Sequence, residues 1–126
     1  MLKYIELKSG QNDQGPAWIA RVKLSKSGRT VYFNGKALKR SDGQGISANY
    51  FDLETGEEYW VSGVKKNGQD RHWAGAGIVW IESGVVAEYL KIIGADKIDE
   101  CRLKVIADLP ETEVEKFRNL ENTRLT

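Results

Sequence analysis

Ser25-Lys26-Ser27-Gly28-Arg29-Thr30-Val31-Tyr32-Phe33-Asn34-Gly35-Lys36-Ala37-Leu38-Lys39-Arg40 is the stretch that decides the fold. Asn34-Gly35 is a strong two-residue hairpin signal, because both residues tolerate the positive φ that such a turn requires. Ser27-Gly28 is a second, plausible turn of the same length. The first turn sets Leu24 opposite Val31 and Val22 opposite Phe33. The second sets Val31 opposite Leu38. Both turns therefore put Val22, Leu24, Val31, Phe33 and Leu38 on one face of a three-stranded meander over about 17–40, and this agreement supports the register. Arg21, Lys23, Thr30, Tyr32 and Lys39 fall on the other face.

Outward from this meander, residues 2–8 alternate as an opening strand. Glu54-Thr55-Gly56 suits a three-residue hairpin loop and Asn67-Gly68 a tight turn, which together predict a second meander. In that register Phe51, Leu53, Tyr59 and Val61 share one face. Tyr50, Asp52, Glu58, Trp60, Arg71 and Trp73 share the other. The nearly continuous apolar run 77–82 predicts a strand buried on both faces. Ser83 is placed to cap a helix over about 84–93, in which Val86, Tyr89, Leu90 and Ile93 keep helical spacing before Gly94. Cys101, Leu103 and Val105 alternate as one more strand, with Cys101 facing the core. Asp108 and Glu111 form a capping-box pattern around Pro110, ahead of a short helix over about 110–121 that buries Val114, Phe117 and Leu120. The expected class is α+β: a strongly twisted antiparallel sheet or small β-barrel over 3–82, a helix over 83–94, and a C-terminal strand, helix and frayed tail over 95–126.

At 126 residues, with 40% hydrophobic and 29% charged residues, the chain reads as a single domain. One cysteine excludes an intrachain disulfide. The start of the sequence has no apolar signal-peptide run, and no stretch nears the ~18 apolar residues of a membrane span. The expectation is a cytoplasmic protein without a membrane partner. Catalytic and metal chemistry find little support. His72 is the only histidine, with Asp70 two residues before it as a candidate orienting group. One Cys and one His cannot furnish a four-ligand zinc site. The acids at 52–58 lack calcium-loop spacing, and Gly43-Gln44-Gly45 and Gly75-Ala76-Gly77 lack the residues of phosphate loops. Glu6-Leu7-Lys8 has the Glu-x-Lys form seen in some metal-dependent nucleases, without the preceding acid. No metal and no cofactor are expected.

Charge distribution is more informative than the net charge of +1. Residues 21–40 carry Arg21, Lys23, Lys26, Arg29, Lys36, Lys39 and Arg40 and no acid, whereas 52–58 carry Asp52, Glu54, Glu57 and Glu58 and no base. Two candidate surfaces follow. Tyr50, Asp52, Glu58, Trp60, Arg71 and Trp73 combine aromatics with carboxylates and an arginine, suiting a protein hot spot or a cationic ligand. Arg21, Lys23, Lys26, Arg29, Tyr32 and Lys39 combine basic groups with an aromatic ring, as single-stranded nucleic acid binding requires.

The segments 25–36 and Tyr50-Phe51-Asp52-Leu53-Glu54-Thr55-Gly56-Glu57-Glu58-Tyr59-Trp60-Val61-Ser62-Gly63, followed by Lys65-Lys66-Asn67-Gly68 and Asp70-Arg71-His72-Trp73, resemble a family of small uncharacterised bacterial proteins over about residues 3–94. Members sometimes carry the name 1-deoxy-D-xylulose-5-phosphate synthase. That name implies a large transketolase-like, thiamine-diphosphate enzyme, whose domains 126 residues cannot supply. The resemblance implies a common fold and no site residues. The reading that results is a non-enzymatic binding module, an adaptor or inhibitor acting on another bacterial protein. The alternative is a small nucleic-acid-binding barrel using the basic meander. A hydrolase or nuclease built on His72 comes third.

Overall fold

A computed structural model of the chain describes residues 1–8, 15–41, 48–67 and 78–118. The Asn34-Gly35 turn forms as the sequence predicts. Both residues have positive φ, 51° and 73°, and strands β4 (Thr30–Phe33) and β5 (Lys36–Arg40) pair with Val31 opposite Leu38. Leu24 lies opposite Val31, as the Ser27-Gly28 turn requires.

The remaining strands are β1 (Leu2–Leu7), β2 (Ala17–Arg21), β3 (Lys23–Leu24), β6 (Tyr50–Asp52), β7 (Glu58–Gly63), β8 (Val79–Glu82) and β9 (Leu103–Ile106). Only Val22 separates β2 from β3, so 17–24 is one strand with a bend. Its first half pairs with β1 and its second with β4. From there the antiparallel pairings run through β5, β6 and β7 and back to β1. The sheet thus curls on itself. Strands β8 and β9 extend it on the other side of β2, and both pair in parallel, so the sheet is mixed where a wholly antiparallel one was expected. The turn Ser83–Val85 and the helix α1 (Val86–Ile93) form the crossover that a parallel β8–β9 pair needs.

Three apolar clusters follow from this path. Ile5, Ala20, Val22, Val31, Phe33, Leu38, Tyr59 and Val61 fill the inside of the curl. Tyr4, Ala17, Ile19, Val79, Ile81 and Leu103 face outward and are covered by Val85 and by Tyr89 of α1. Tyr32, Ala37 and Leu53, on the outer face of β4 and β5, are covered by Phe117 from the helical residues 114–118. Leu24 shares the inner face by register but remains exposed at the strand end.

Several details depart from the sequence reading. The loop closed by the Asp52–Glu57 pair holds four residues, 53–56, not three. The Asp52 Oδ1 atom accepts the Glu54 and Thr55 N–H groups, and the Asp52 N–H donates to the Glu57 carbonyl. The extra residue moves the register by one, so Tyr50 faces Tyr59 and Phe51 faces Glu58. A one-residue slip turns every side chain to the other face. Ser83 makes no cap. Instead Asp108, 24 residues away, accepts the Gly84 N–H at 2.8 Å, and the Ser83 hydroxyl donates to it. A Cβ on Gly84 would meet that carboxylate at 2.6 Å, so a larger residue there would displace the Asp108 side chain. Asp108 is therefore no capping box for the following helix, whose described part starts at 114. Cys101 lies exposed in the turn before β9, because the strand begins two residues later than the alternation suggested. The predicted Asn67-Gly68 turn lies partly outside the described residues, as do Arg71, His72 and Trp73.

Phe117 is the plug over the third cluster, so Phe117→Ala is expected to cost about 3–5 kcal/mol, the range for emptying a buried aromatic site. Urea denaturation checks this, and a loss below about 1 kcal/mol would show that Tyr32 and Leu53 are covered by something else.

Candidate functional site

The one-residue register shift redistributes the residues of the predicted aromatic surface. Of the aromatic group, Tyr50 turns inward and packs against the central cluster, while Trp60 faces outward, half-buried against the α1-side cluster. Asp52 is buried, 1% exposed, and is the organiser of its own loop. Its second oxygen lies 3.8 Å from Lys36 Nζ. Glu58 stays exposed on the outer face. Tyr50 and Trp60 thus stand on opposite faces of the sheet, and Asp52 is not offered to a ligand. Arg71 and Trp73 lie outside the described residues.

The basic group also divides. Tyr32 is buried under Phe117 and offers no open ring for stacking. Arg21 and Lys23, at one end of the strand pair, stand 3.8 Å from Glu88 and 3.6 Å from Glu111. At the other end of β4, the hairpin register continues past the strand. Thr30 pairs with Lys39, and the Arg40 N–H donates to the Arg29 carbonyl at 2.8 Å. Arg29 and Arg40 are therefore cross-strand neighbours. Directly opposed side chains have Cβ atoms about 5 Å apart, and like charges so placed repel. Lys26 stands in the turn between β3 and β4, three residues before Arg29, and Lys39 alternates with Arg40 onto the opposite, outer face. Among the described residues no carboxylate lies within ion-pair distance of Lys26, Arg29, Lys39 or Arg40. The next residue across the sheet from Arg40 is Tyr50, and beyond it Tyr59. An arginine pair thus adjoins a half-buried tyrosine at one end of the curled sheet.

Sequence reasoning left Arg40 out of the basic site. The signal was present: extending the Asn34-Gly35 register by two residues past Val31–Leu38 gives Arg29 opposite Arg40. Tyr50 beside it could not be found, because the wrong loop length sent it to the other face.

A second polar cluster lies on the outer face of β1. The Tyr4 hydroxyl donates to Glu6 Oε1 at 2.6 Å, and Lys8 Nζ lies 2.9 Å from Oε2. Glu6 is 3% exposed and Trp60 is its neighbour across the pair. The Glu-x-Lys pattern here is a buried ion pair with its charges matched. Among the described residues no group of three His, Cys, Asp or Glu side chains converges as a metal site would need, and no helix is long and apolar enough to cross a membrane. Comparison with protein families, with curated proteins and with solved structures gives no match.

Tyr59, in the row behind the arginines, has its phenol pKa pushed from 10.0 up to about 12, chiefly by burial and then by the negative charges of Glu57 and Asp52. The folded state thus holds this proton more tightly than the unfolded chain. Its contribution to stability is complete below pH 10 and is lost as pH rises toward 12. Tyrosinate absorbance of the native protein should include a step near the top of this window, and Tyr59→Phe should remove that step.

Proposed function

We propose that the protein is a non-enzymatic binding module whose surface for a polyanion is the basic corner formed by Lys26, Arg29 and Arg40, with Tyr50 beside Arg40, and that the partner is single-stranded nucleic acid. The observation that carries this reading is the placement of Arg29 directly across from Arg40 with no carboxylate of the described residues near either. A fold selected for stability alone gains by an acid at one of these positions, since an opposed pair of unlike charges contributes about 0.2–1 kcal/mol and a like pair costs a similar amount. A phosphate chain supplies the missing countercharge, and release of its condensed cations drives binding. Tyr50 gives a base an aromatic edge next to the arginines, although one half-buried ring contributes less than the open platforms of dedicated single-strand binders. The affinity expected is that of sequence-independent contact, with Kd of roughly 10⁻⁴–10⁻⁶ M at physiological salt.

Relative to the surface drawn from sequence, Arg21 and Lys23 leave the site for their partners Glu88 and Glu111, Tyr32 leaves it for the interior, Lys39 falls on the opposite face, and Arg40 and Tyr50 enter. The protein-contact reading drew on size, the lack of catalytic groups and an acidic hairpin beside aromatics; of that aromatic group Tyr50 and Trp60 stand on opposite faces, and Arg71 and Trp73 lie outside the described residues.

Arg40→Glu separates a binding role from a structural one. The substitution creates a cross-strand ion pair with Arg29, so it should raise stability by a few tenths of a kcal/mol while weakening the binding of a fluorescent oligothymidylate by at least about tenfold. For the unmodified protein, log Kd should rise with log salt by about 0.7 per phosphate neutralised. Anisotropy titrations at several salt concentrations, with urea denaturation in parallel, read both effects. Unchanged oligonucleotide binding by Arg40→Glu would overturn the proposal.

A further inference from the structure

The end of the sheet opposite the basic corner holds a cavity of about 320 Å³. It sits outside the carboxyl ends of the parallel strands β2 and β8, where a sheet that divides leaves a crevice for ligands. Val22, Phe33, Leu109 and Pro110 give it apolar walls, and its volume is within the range of small-molecule sites. Three positive and three negative groups line it: the Met1 amino group, Arg21 and Lys23 against Glu82, Asp108 and Glu111. They differ in depth and engagement. Arg21 and Lys23 stand at the mouth, their side chains 55% and 62% exposed, each with a carboxylate within 4 Å. The Met1 amino group donates to the Val22 carbonyl. Asp108 is held by Gly84 and Ser83.

Glu82 is different. It is buried, 6% exposed, and among the described residues no cationic side chain lies within ion-pair distance. Its two oxygens accept the Arg21 and Leu109 N–H groups at 2.7 Å each. A carboxylate has about four acceptor positions, so each oxygen can take one more donor. A buried charge without a counter-ion is costly, and an entering cation offsets that cost.

We infer that this cavity binds a small organic cation, an ammonium or amidinium head on an apolar body, with the head on Glu82 and the body between Phe33, Leu109 and Pro110. The full chain, titrated with benzamidine, benzamide and benzoate, tests the inference by amide NMR. Benzamidine should shift the Arg21 and Leu109 amide signals and bind roughly tenfold tighter than benzamide, the margin of a charge-assisted over a neutral hydrogen bond. Benzoate should not bind there. Glu82→Gln should abolish the preference for the cation. Because that change also disturbs two backbone hydrogen bonds, Lys23→Glu is the second variant. It alters only the mouth and should tighten benzamidine binding by about threefold, as a screened surface charge does. Equal binding of the three probes, tighter binding of benzoate, no shift with any of them, or weaker benzamidine binding by Lys23→Glu would overturn the inference.

Discussion

One strand serves more neighbours than a straight strand could. The first half of the strand 17–24 pairs with β1 along one side, while on the other side β8 occupies the first half and β4 the second. At the changeover the Arg21 N–H has lost β8 and has not reached β4. A backbone donor left unpaired in such a place costs as much as a lost hydrogen bond. The Glu82 carboxylate, at the end of β8, takes that N–H and with its other oxygen takes the Leu109 N–H. The same side chain therefore closes the sheet and anchors the segment that leads from β9 to the last helical residues. The bend at Val22, the curl of the sheet and the crevice beside Glu82 have this single origin.

The segment after β9 is tied down by polar contacts at several points. Asp108 holds Gly84, Glu82 holds Leu109, and the Thr112 hydroxyl donates to the Lys36 carbonyl. Phe117 then reaches Tyr32 and Leu53. The outer faces of the curled sheet are thus covered twice, by α1 on the β1–β2 side and by this segment on the β4–β5 side. The free chemistry is pushed to the two ends. One end gathers bases that no carboxylate of the described residues neutralises, and the other gathers a buried acid under exposed ion pairs.

Much of the fold was legible, and the reasons differ by element. The Asn34-Gly35 hairpin was readable because turn type and apolar alternation agree on one register. The α1 helix was readable from its spacing and the glycine that ends it. The second meander was misread because Glu54-Thr55-Gly56 looks like a complete loop. The decisive group is Asp52, one residue earlier, whose side chain bonds the loop backbone and lengthens it. Pairing in parallel with β2 was not readable either, since nothing in 77–82 says which strand it will join. The capping pattern at Asp108 misled because its partner is Gly84 and not its own helix. For the candidate surfaces, the bases were visible in the sequence, but their neighbours were not. Arg40 needed the register carried two residues further, and Tyr50 needed the correct loop.

The order of elements along the chain sets the order in which apolar surface is exposed during synthesis. Tyr4, Ala17 and Ile19 emerge long before Val85 and Tyr89, and Tyr32, Ala37 and Leu53 long before Phe117. Both outer faces are made as open, sticky sheet and are sealed only by later residues. Contacts of such long sequence separation form slowly, and surface left uncovered meanwhile favours association with other chains. A chain that ends between β9 and residue 114 therefore has every strand of its curl but a bare Tyr32 face, and exposes there the apolar surface that Phe117 would seal.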